Sequence, residues 1–284
     1  MMLKRSKFTR IKSFAKVNLS LNVIGRLKNN YHQIESLVTF VNLHDEILVR
    51  YSNRMRHTIT FGGKFSKGIK KNNNTVKNLL ELLDSKNYLN NKKLEIKLIK
   101  NIPHSAGLGG GSMNAASLMK FLLKKKLKNN FNNIANKIGS DVQLGGQRKN
   151  LILLKNAKVL KTNKKILLYV VICKPNFGCS TKFIYSRLKR FTKSEYKLGK
   201  QNYFNLRNLV NYKNDLETIA FKYYPKLRKL KIFFDSLPDL EFSRMTGSGS
   251  AIVGYFKSHK DAKKANKLIK KRYKSYWSVI SKTI

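Results

Sequence analysis

The chain has 284 residues, enough for one large or two ordinary domains with cores of their own. Its formal charge is +46, but the 60 Lys and Arg are spread along the whole chain beside abundant Asn, Ile, Phe and Tyr, the residues of A/T-rich codons, so no specific nucleic-acid partner is expected. Two cysteines, a basic N-terminus interrupted at Lys16 and Asn18, and a longest apolar stretch of only Ile166–Cys173 argue against a disulfide scaffold, a signal peptide and a membrane span, and point to the cytoplasm.

Taken in chain order, Phe14–Ile24 alternates as a strand, with Ala15, Val17, Leu19, Leu21 and Val23 on one face and Lys16 and Asn18 on the other. Gly25 and residues 27–30 read as a turn, and Glu35–Val41 and Glu46–Tyr51 as two further strands. Residues 62–74 are a Gly, Lys and Asn loop, Thr75–Leu83 a helix, and Leu94–Ile99 a strand leading into a glycine-rich loop. A helix follows that loop, and Phe131–Ile138 is another, closed by Gly139. Strands are then expected at Leu151–Leu154 and Ile166–Cys173, and helices at Lys182–Arg190, Asp215–Tyr223 and Lys226–Leu237. Strands Glu241–Thr246 and Ala251–Phe256 flank the turn Gly247-Ser248-Gly249, before a last helix Asp261–Tyr273. This order predicts an α+β protein of two domains, residues 1–155 and 156–284.

The loop Pro103-His104-Ser105-Ala106-Gly107-Leu108-Gly109-Gly110-Gly111-Ser112-Met113 is the most specific signal. Apolar residues after it fall at Ala115, Leu118, Met119, Leu122 and Leu123, the spacing of one helix face. Glycines remove the Cβ atoms that keep a ligand off the backbone, and a helix N-terminus attracts anions, phosphate above all. Ser112 is placed to cap the helix. No Gly-Lys-Ser/Thr follows, so the loop is not a Walker A loop, and Ser112 at the third glycine position excludes the dinucleotide fingerprint.

Four motifs occur in order: Ala15-Lys16-Val17-Asn18-Leu19, Gly25 with Tyr31-His32, the glycine loop, and Gly247-Ser248-Gly249-Ser250-Ala251. Together with Gly139-Ser140-Asp141-Val142, Ser180-Thr181 and Asn214-Asp215-Leu216-Glu217, they resemble the small-molecule kinase superfamily of galactokinase, homoserine kinase and mevalonate kinase over about residues 13–256. The Ala-Lys-x-Asn and Tyr-His pairs resemble the branch whose substrate is a cytidine diphosphate-linked sugar alcohol of the non-mevalonate isoprenoid pathway. Phe14, Thr246 and Ser250 depart from that branch's common proline, serine and small apolar residue.

The resemblance implies a ribosomal protein S5 domain 2-like N-terminal domain, a ferredoxin-like C-terminal domain, and phosphoryl transfer from ATP to the 2-hydroxyl of the methylerythritol portion. Pro103–Met113 would hold the ATP phosphates, and Mg²⁺ would bridge phosphate oxygens with Ser112 as a tentative ligand. Asp141 is the candidate general base, and Lys16 would pair with it and stabilise the incoming oxygen. Tyr31 and His32 would read the cytosine, with Tyr185 on the other face of the ring. Asn18, Thr181 and Asn74 are weaker substrate candidates, while Asp215 and Glu217 fit helix capping equally well. His104 reads as exposed. Two alternatives stay open: a sibling kinase of the mevalonate or homoserine type, and a non-catalytic basic protein that associates with RNA.

Overall fold

A computed structural model of the chain describes residues 7–27, 31–69, 74–123, 131–146, 149–197 and 202–284. The expected turn at 28–30, the loop stretch 70–73 and the lysines at 124–130 lie outside the described residues. The first elements are β1 (Thr9–Asn18), β2 (Asn22–Arg26), β3 (His32–Ser52), β4 (Thr58–Gly62), α1 (Thr75–Ser85), β5 (Lys93–Ile99), α2 (Gly110–Leu123) and α3 (Phe131–Ile138). After a 3-10 turn at Val142–Gly146 come β6 (Asn150–Leu153), β7 (Val159–Thr162), β8 (Tyr169–Lys174), α4 (Thr181–Ser186), α5 (Leu206–Asn211), α6 (Leu216–Tyr223) and α7 (Pro225–Asp235). The chain closes with β9 (Phe242–Met245), β10 (Ile252–Phe256), α8 (His259–Arg272) and β11 (Trp277–Lys282). No described helix is long and apolar enough to cross a membrane.

Two compact units form: Met1–Ala15, Leu43–His104 and Gly109–Arg148 in the first, Lys16–Asn42, Ser105–Leu108 and Lys149–Ile284 in the second. The chain thus passes between these units several times. In the first unit β5 runs antiparallel to β3, from Glu46 opposite Ile99 to Ser52 opposite Lys93, and β4 adds in parallel to β5. Every second residue of β5 points inward, so Leu94, Ile96 and Leu98 pack with Ile47 and Val49 against Val76, Leu79, Leu80 and Leu83 of α1 and Leu118 and Met119 of α2. Asn74 caps α1, accepting from Lys77 N at 3.0 Å, which gives this substrate candidate a structural task.

In the second unit an antiparallel sheet runs β11-β8-β10-β9. Its central strands are apolar on both faces, and Leu227, Leu230 and Phe234 of α7 with Ala262, Ala265 and Ile269 of α8 share their core. The N-terminal part of β3 pairs with β2 and β6, and β7 extends that ladder.

Several expectations need correcting. Phe14–Ile24 is two strands, because Leu19 N turns to Leu37 O and Leu21 N to Lys213 O, although the apolar alternation continues through the break. The two strands expected at Glu35–Val41 and Glu46–Tyr51 are one, since the polar run between them is taken up by the sheet and Asp45 is fully buried. Ser112 does not cap α2: the helix begins at Gly110, Met113 N donates to Gly109 O at 2.8 Å, and Ser112 sits inside the first turn. Short β4, β7, α5 and β11 were not foreseen, and β8 begins at Tyr169 rather than Ile166.

Candidate active site

Between β5 and α2 the backbone turns left-handed at Ser105, Gly107 and Gly109, with φ of 52°, 73° and 67°. A Cβ at Gly107 would lie 1.8 Å from the carbonyl oxygen of Thr246, so no other residue fits there without moving the chain. Pro103, Ala106, Leu108 and Met113 are buried and anchor the stretch, whereas His104, Ser105 and Gly111 are exposed. The N–H groups of Gly110, Gly111 and Ser112 form the first turn of α2, have no acceptor within the helix, and stand at its positive end. A backbone without Cβ atoms at such a terminus fits phosphate oxygens. The half-buried Ser112 hydroxyl is the side-chain oxygen in that turn. Among the described residues no group of three or more His, Cys, Asp or Glu is disposed to hold a metal.

Ser105–Leu108 is knit to the second unit's own strands. Lys16 N donates to Leu108 O, Ser250 N to Ser105 O and Ala251 N to Ala106 O. Lys16 and Asn18, expected on a face toward a cleft or water, are each only 4% exposed. Lys16 Nζ donates to Asn18 Oδ1 at 2.7 Å, and the same oxygen accepts from Gly247 N at 3.0 Å. Asn18 Nδ2 donates to Ser36 Oγ, and the Thr246 hydroxyl accepts from Asn18 N and donates to Gly107 O at 3.0 Å. From the other side Asn214 Nδ2 donates to Met245 O and Gly247 O, both at 2.8 Å. Two buried amides therefore hold the Gly247 turn by its N–H and its C=O and present a buried ammonium beside it. A Cβ at Gly247 would sit 3.6 Å from Lys16 Nζ.

Asp141 is half-buried in the first unit, where its carbonyl accepts from Leu144 N in the 3-10 turn after α3. In the same unit Asp45 accepts from Lys100 Nζ, Asn101 N (2.7 Å) and Ile102 N (2.8 Å), which fixes the backbone between β5 and the glycine loop. Nothing in the local sequence of Asp45 signals this, because its partners lie more than 50 residues away.

The aromatic candidates gather in the second unit. His32 at the start of β3 and Tyr185 on α4 have ring centroids 4.9 Å apart, tilted by 39°, while Tyr31 is 71% exposed next to them. Burial, and then the Arg26 charge, hold the His32 imidazole below its ordinary pKa of 6.5, so the ring is neutral at physiological pH with one donor and one acceptor nitrogen. Thr181 lies apart from these rings in its bonding: its hydroxyl pairs with Ser248 at 2.8 Å, beside the Gly247 turn. Asp215 makes no side-chain cap and instead accepts from Val23 N and Thr192 Oγ1, both at 2.7 Å. Glu217 accepts from Met245 N at 2.6 Å, and burial raises its pKa against that hydrogen bond. The thiols are not poised as nucleophiles, since burial pushes Cys173 up to about 12 and Cys179 to about 11.

Residues 74–148 match the family model of the GHMP kinases N terminal domain. A 4-diphosphocytidyl-2-C-methyl-D-erythritol kinase of Pelagibacter ubique (strain HTCC1062) is 50% identical over 97% of this chain and 99% of its own. The enzyme of the same name from Petrotoga mobilis is 34% identical over 85% of this chain and 96% of its own. A crystal structure of 4-(cytidine 5'-diphospho)-2C-methyl-D-erythritol kinase has the same mixed α+β fold, with a TM-score of 0.77 at 23% identity over 97% of this chain and 99% of the other.

Proposed function

The chain belongs to the 4-diphosphocytidyl-2-C-methyl-D-erythritol kinase family, and on that premise we propose how its residues perform an ATP-dependent phosphorylation of that compound at the 2-hydroxyl. The observation that carries the assignment of roles is the buried Lys16 ammonium, held by Asn18 beside the Gly247 turn and the glycine loop. A buried ammonium held in one orientation is a preorganised positive charge. Lys16 therefore stabilises the negative charge that grows on the attacking oxygen, and Asn18 aims it.

Asp141 accepts the proton of the attacking hydroxyl, which phosphoryl transfer requires of one positioned carboxylate. Pro103–Met113 cradles the ATP phosphates through the free amides at the start of α2. Ser112 Oγ would help hold Mg²⁺, which would supply neutralisation of the phosphate charge. Neutral His32 accepts from the exocyclic amine of the cytosine, while Tyr31 and Tyr185 supply faces for stacking. Asn18 and Thr181 sit at the Gly247 turn and orient the sugar alcohol. The two halves, 1–155 and 156–284, correspond to S5 domain 2-like and ferredoxin-like domains, a reading supported by the four-stranded antiparallel sheet that carries α7 and α8. The work is cytoplasmic and needs no nucleic-acid partner.

The test mixes the protein with ATP, Mg²⁺ and 4-diphosphocytidyl-2-C-methyl-D-erythritol and follows ³¹P NMR. A new phosphomonoester signal is expected, slowed by about 10²–10⁴ in Asp141→Asn. Turnover of mevalonate or homoserine but not of the cytidyl compound would overturn the substrate assignment. Undiminished turnover in Asp141→Asn would overturn the base.

A further inference from the structure

Downstream of α4, residues 188–197 form neither helix nor strand. An irregular backbone of this kind is ordinarily mobile, because it lacks a ladder to hold it. Here it is tied down by two carboxylates. Glu35, fully buried on β3, accepts from Ser194 Oγ at 2.7 Å, Glu195 N at 2.9 Å and Tyr196 N at 3.3 Å. Asp215 takes the Thr192 hydroxyl, and Thr192 N donates to Val23 O at 2.9 Å.

The residue just before these anchors is Phe191. Its ring is 47% exposed, and its centroid lies 6.4 Å from that of His32, tilted by 52°. Glu35 and His32 belong to the same strand, so the β2–β3 ladder that positions the imidazole also positions the segment bearing Phe191. Core packing does not account for a large ring left half in water on a backbone pinned immediately after it. A flat ligand resting against His32 would cover it.

We propose that Phe191 is a further substrate-contacting residue, a third aromatic side of the base site whose ring face meets the edge of a planar pyrimidine held at His32. This presupposes that His32 and Tyr185 bind the cytosine. Because Glu35 and Asp215 fix the segment beforehand, binding orders little that is not ordered already, and the contact counts toward affinity. Every base has a hydrogen-bearing edge for such a contact, so Phe191 contributes affinity for nucleobases, and the choice of cytosine stays with the hydrogen bonds of His32.

Steady-state kinetics with calorimetric titration of cytidine diphosphate tests this. Phe191→Ala is expected to raise KM for the cytidyl substrate, and weaken cytidine diphosphate binding, about 10-fold, with KM for ATP at its wild-type value. Phe191→Tyr keeps a flat ring and is expected to stay within about threefold of wild type. Phe191→Leu keeps apolar volume without a π face and is expected to behave like the alanine variant. Wild-type KM in Phe191→Leu would mean mere packing and would overturn the proposal. His32→Ala and Tyr185→Ala are run in parallel. If they raise KM while Phe191→Ala does not, the third side is wrong and the base site stands. If none of them changes KM, the base site itself is misplaced.

Discussion

Replacing Gly107 by alanine separates backbone strain from collision. Two glycines share a left-handed backbone but differ in their surroundings. Gly68, at φ 81°, has His104 Nε2 4.0 Å from a would-be Cβ, which is ordinary contact. Gly68→Ala therefore costs only the left-handed strain of an alanine, about 1 kcal/mol. Gly107→Ala carries the same strain and also places a methyl group 1.8 Å from Thr246 O, so that carbonyl must retreat by more than about 1 Å to reach contact distance. Its retreat breaks the bonds from Thr246 Oγ1 to Gly107 O, from Gly247 N to Asn18 Oδ1 and from Asn214 Nδ2 to Gly247 O. At about 1–2 kcal/mol for each of these three bonds, with the strain of about 1 kcal/mol, the total is roughly 4–7 kcal/mol. One kcal/mol shifts Tm by about 2–4 °C in domains of this size, so the expected losses are about 3 °C for Gly68→Ala and roughly 10–20 °C for Gly107→Ala. Differential scanning fluorimetry reads both, and Gly107→Ala should also lose turnover, because the turn beside Lys16 moves. Equal Tm shifts in the two variants would refute the collision and with it the packing of the glycine loop against Thr246.

On the proposed reading, protonation of His32 would remove the nitrogen that accepts from the base. Its pKa lies below 6.5, so KM for the cytidyl substrate should be flat from pH 8 to 6.5 and rise only as pH falls below that, while KM for ATP does not follow. A KM that stays flat while NMR shows the His32 ring becoming protonated counts against the role. The two cysteines should be silent toward Ellman's reagent: a thiol at about 11 is only about 0.1% thiolate at pH 8. Two equivalents should appear in guanidinium chloride, and rapid labelling of the native protein would contradict the burial of Cys173 and Cys179.

Sequence patterns carried the local pieces of this molecule. The glycine loop, Lys16 with Asn18, and Tyr31 with His32 each fit within a dozen residues, where side-chain chemistry and backbone geometry speak together. What stayed hidden is held at long range. Asn214 grips a turn more than 30 residues away, Glu35 fixes a segment about 160 residues away, and Asp45 serves the strand end before the loop from 55 residues upstream. Asp215 read as a helix cap, since an acid before an apolar run fits that pattern, yet its oxygen goes to Thr192 and Val23. The expected break between the strands Glu35–Val41 and Glu46–Tyr51 fails for a related reason. A buried carboxylate inside a strand is invisible until its donors are in place.

The grip of Asn18 on Gly247 joins positions 229 residues apart. Closing so large a loop has an entropic cost that short-range helices and hairpins do not face, and such contacts slow folding. The chain is therefore expected to regain its secondary structure on refolding before this clasp shuts, with the recovery of turnover lagging that of circular dichroism. Heating runs the sequence backwards. Turnover is expected to fade over a range of temperatures in which circular dichroism still reports a native molecule, and in that case the clasp, more than the melting of the fold, would set how long the enzyme stays useful.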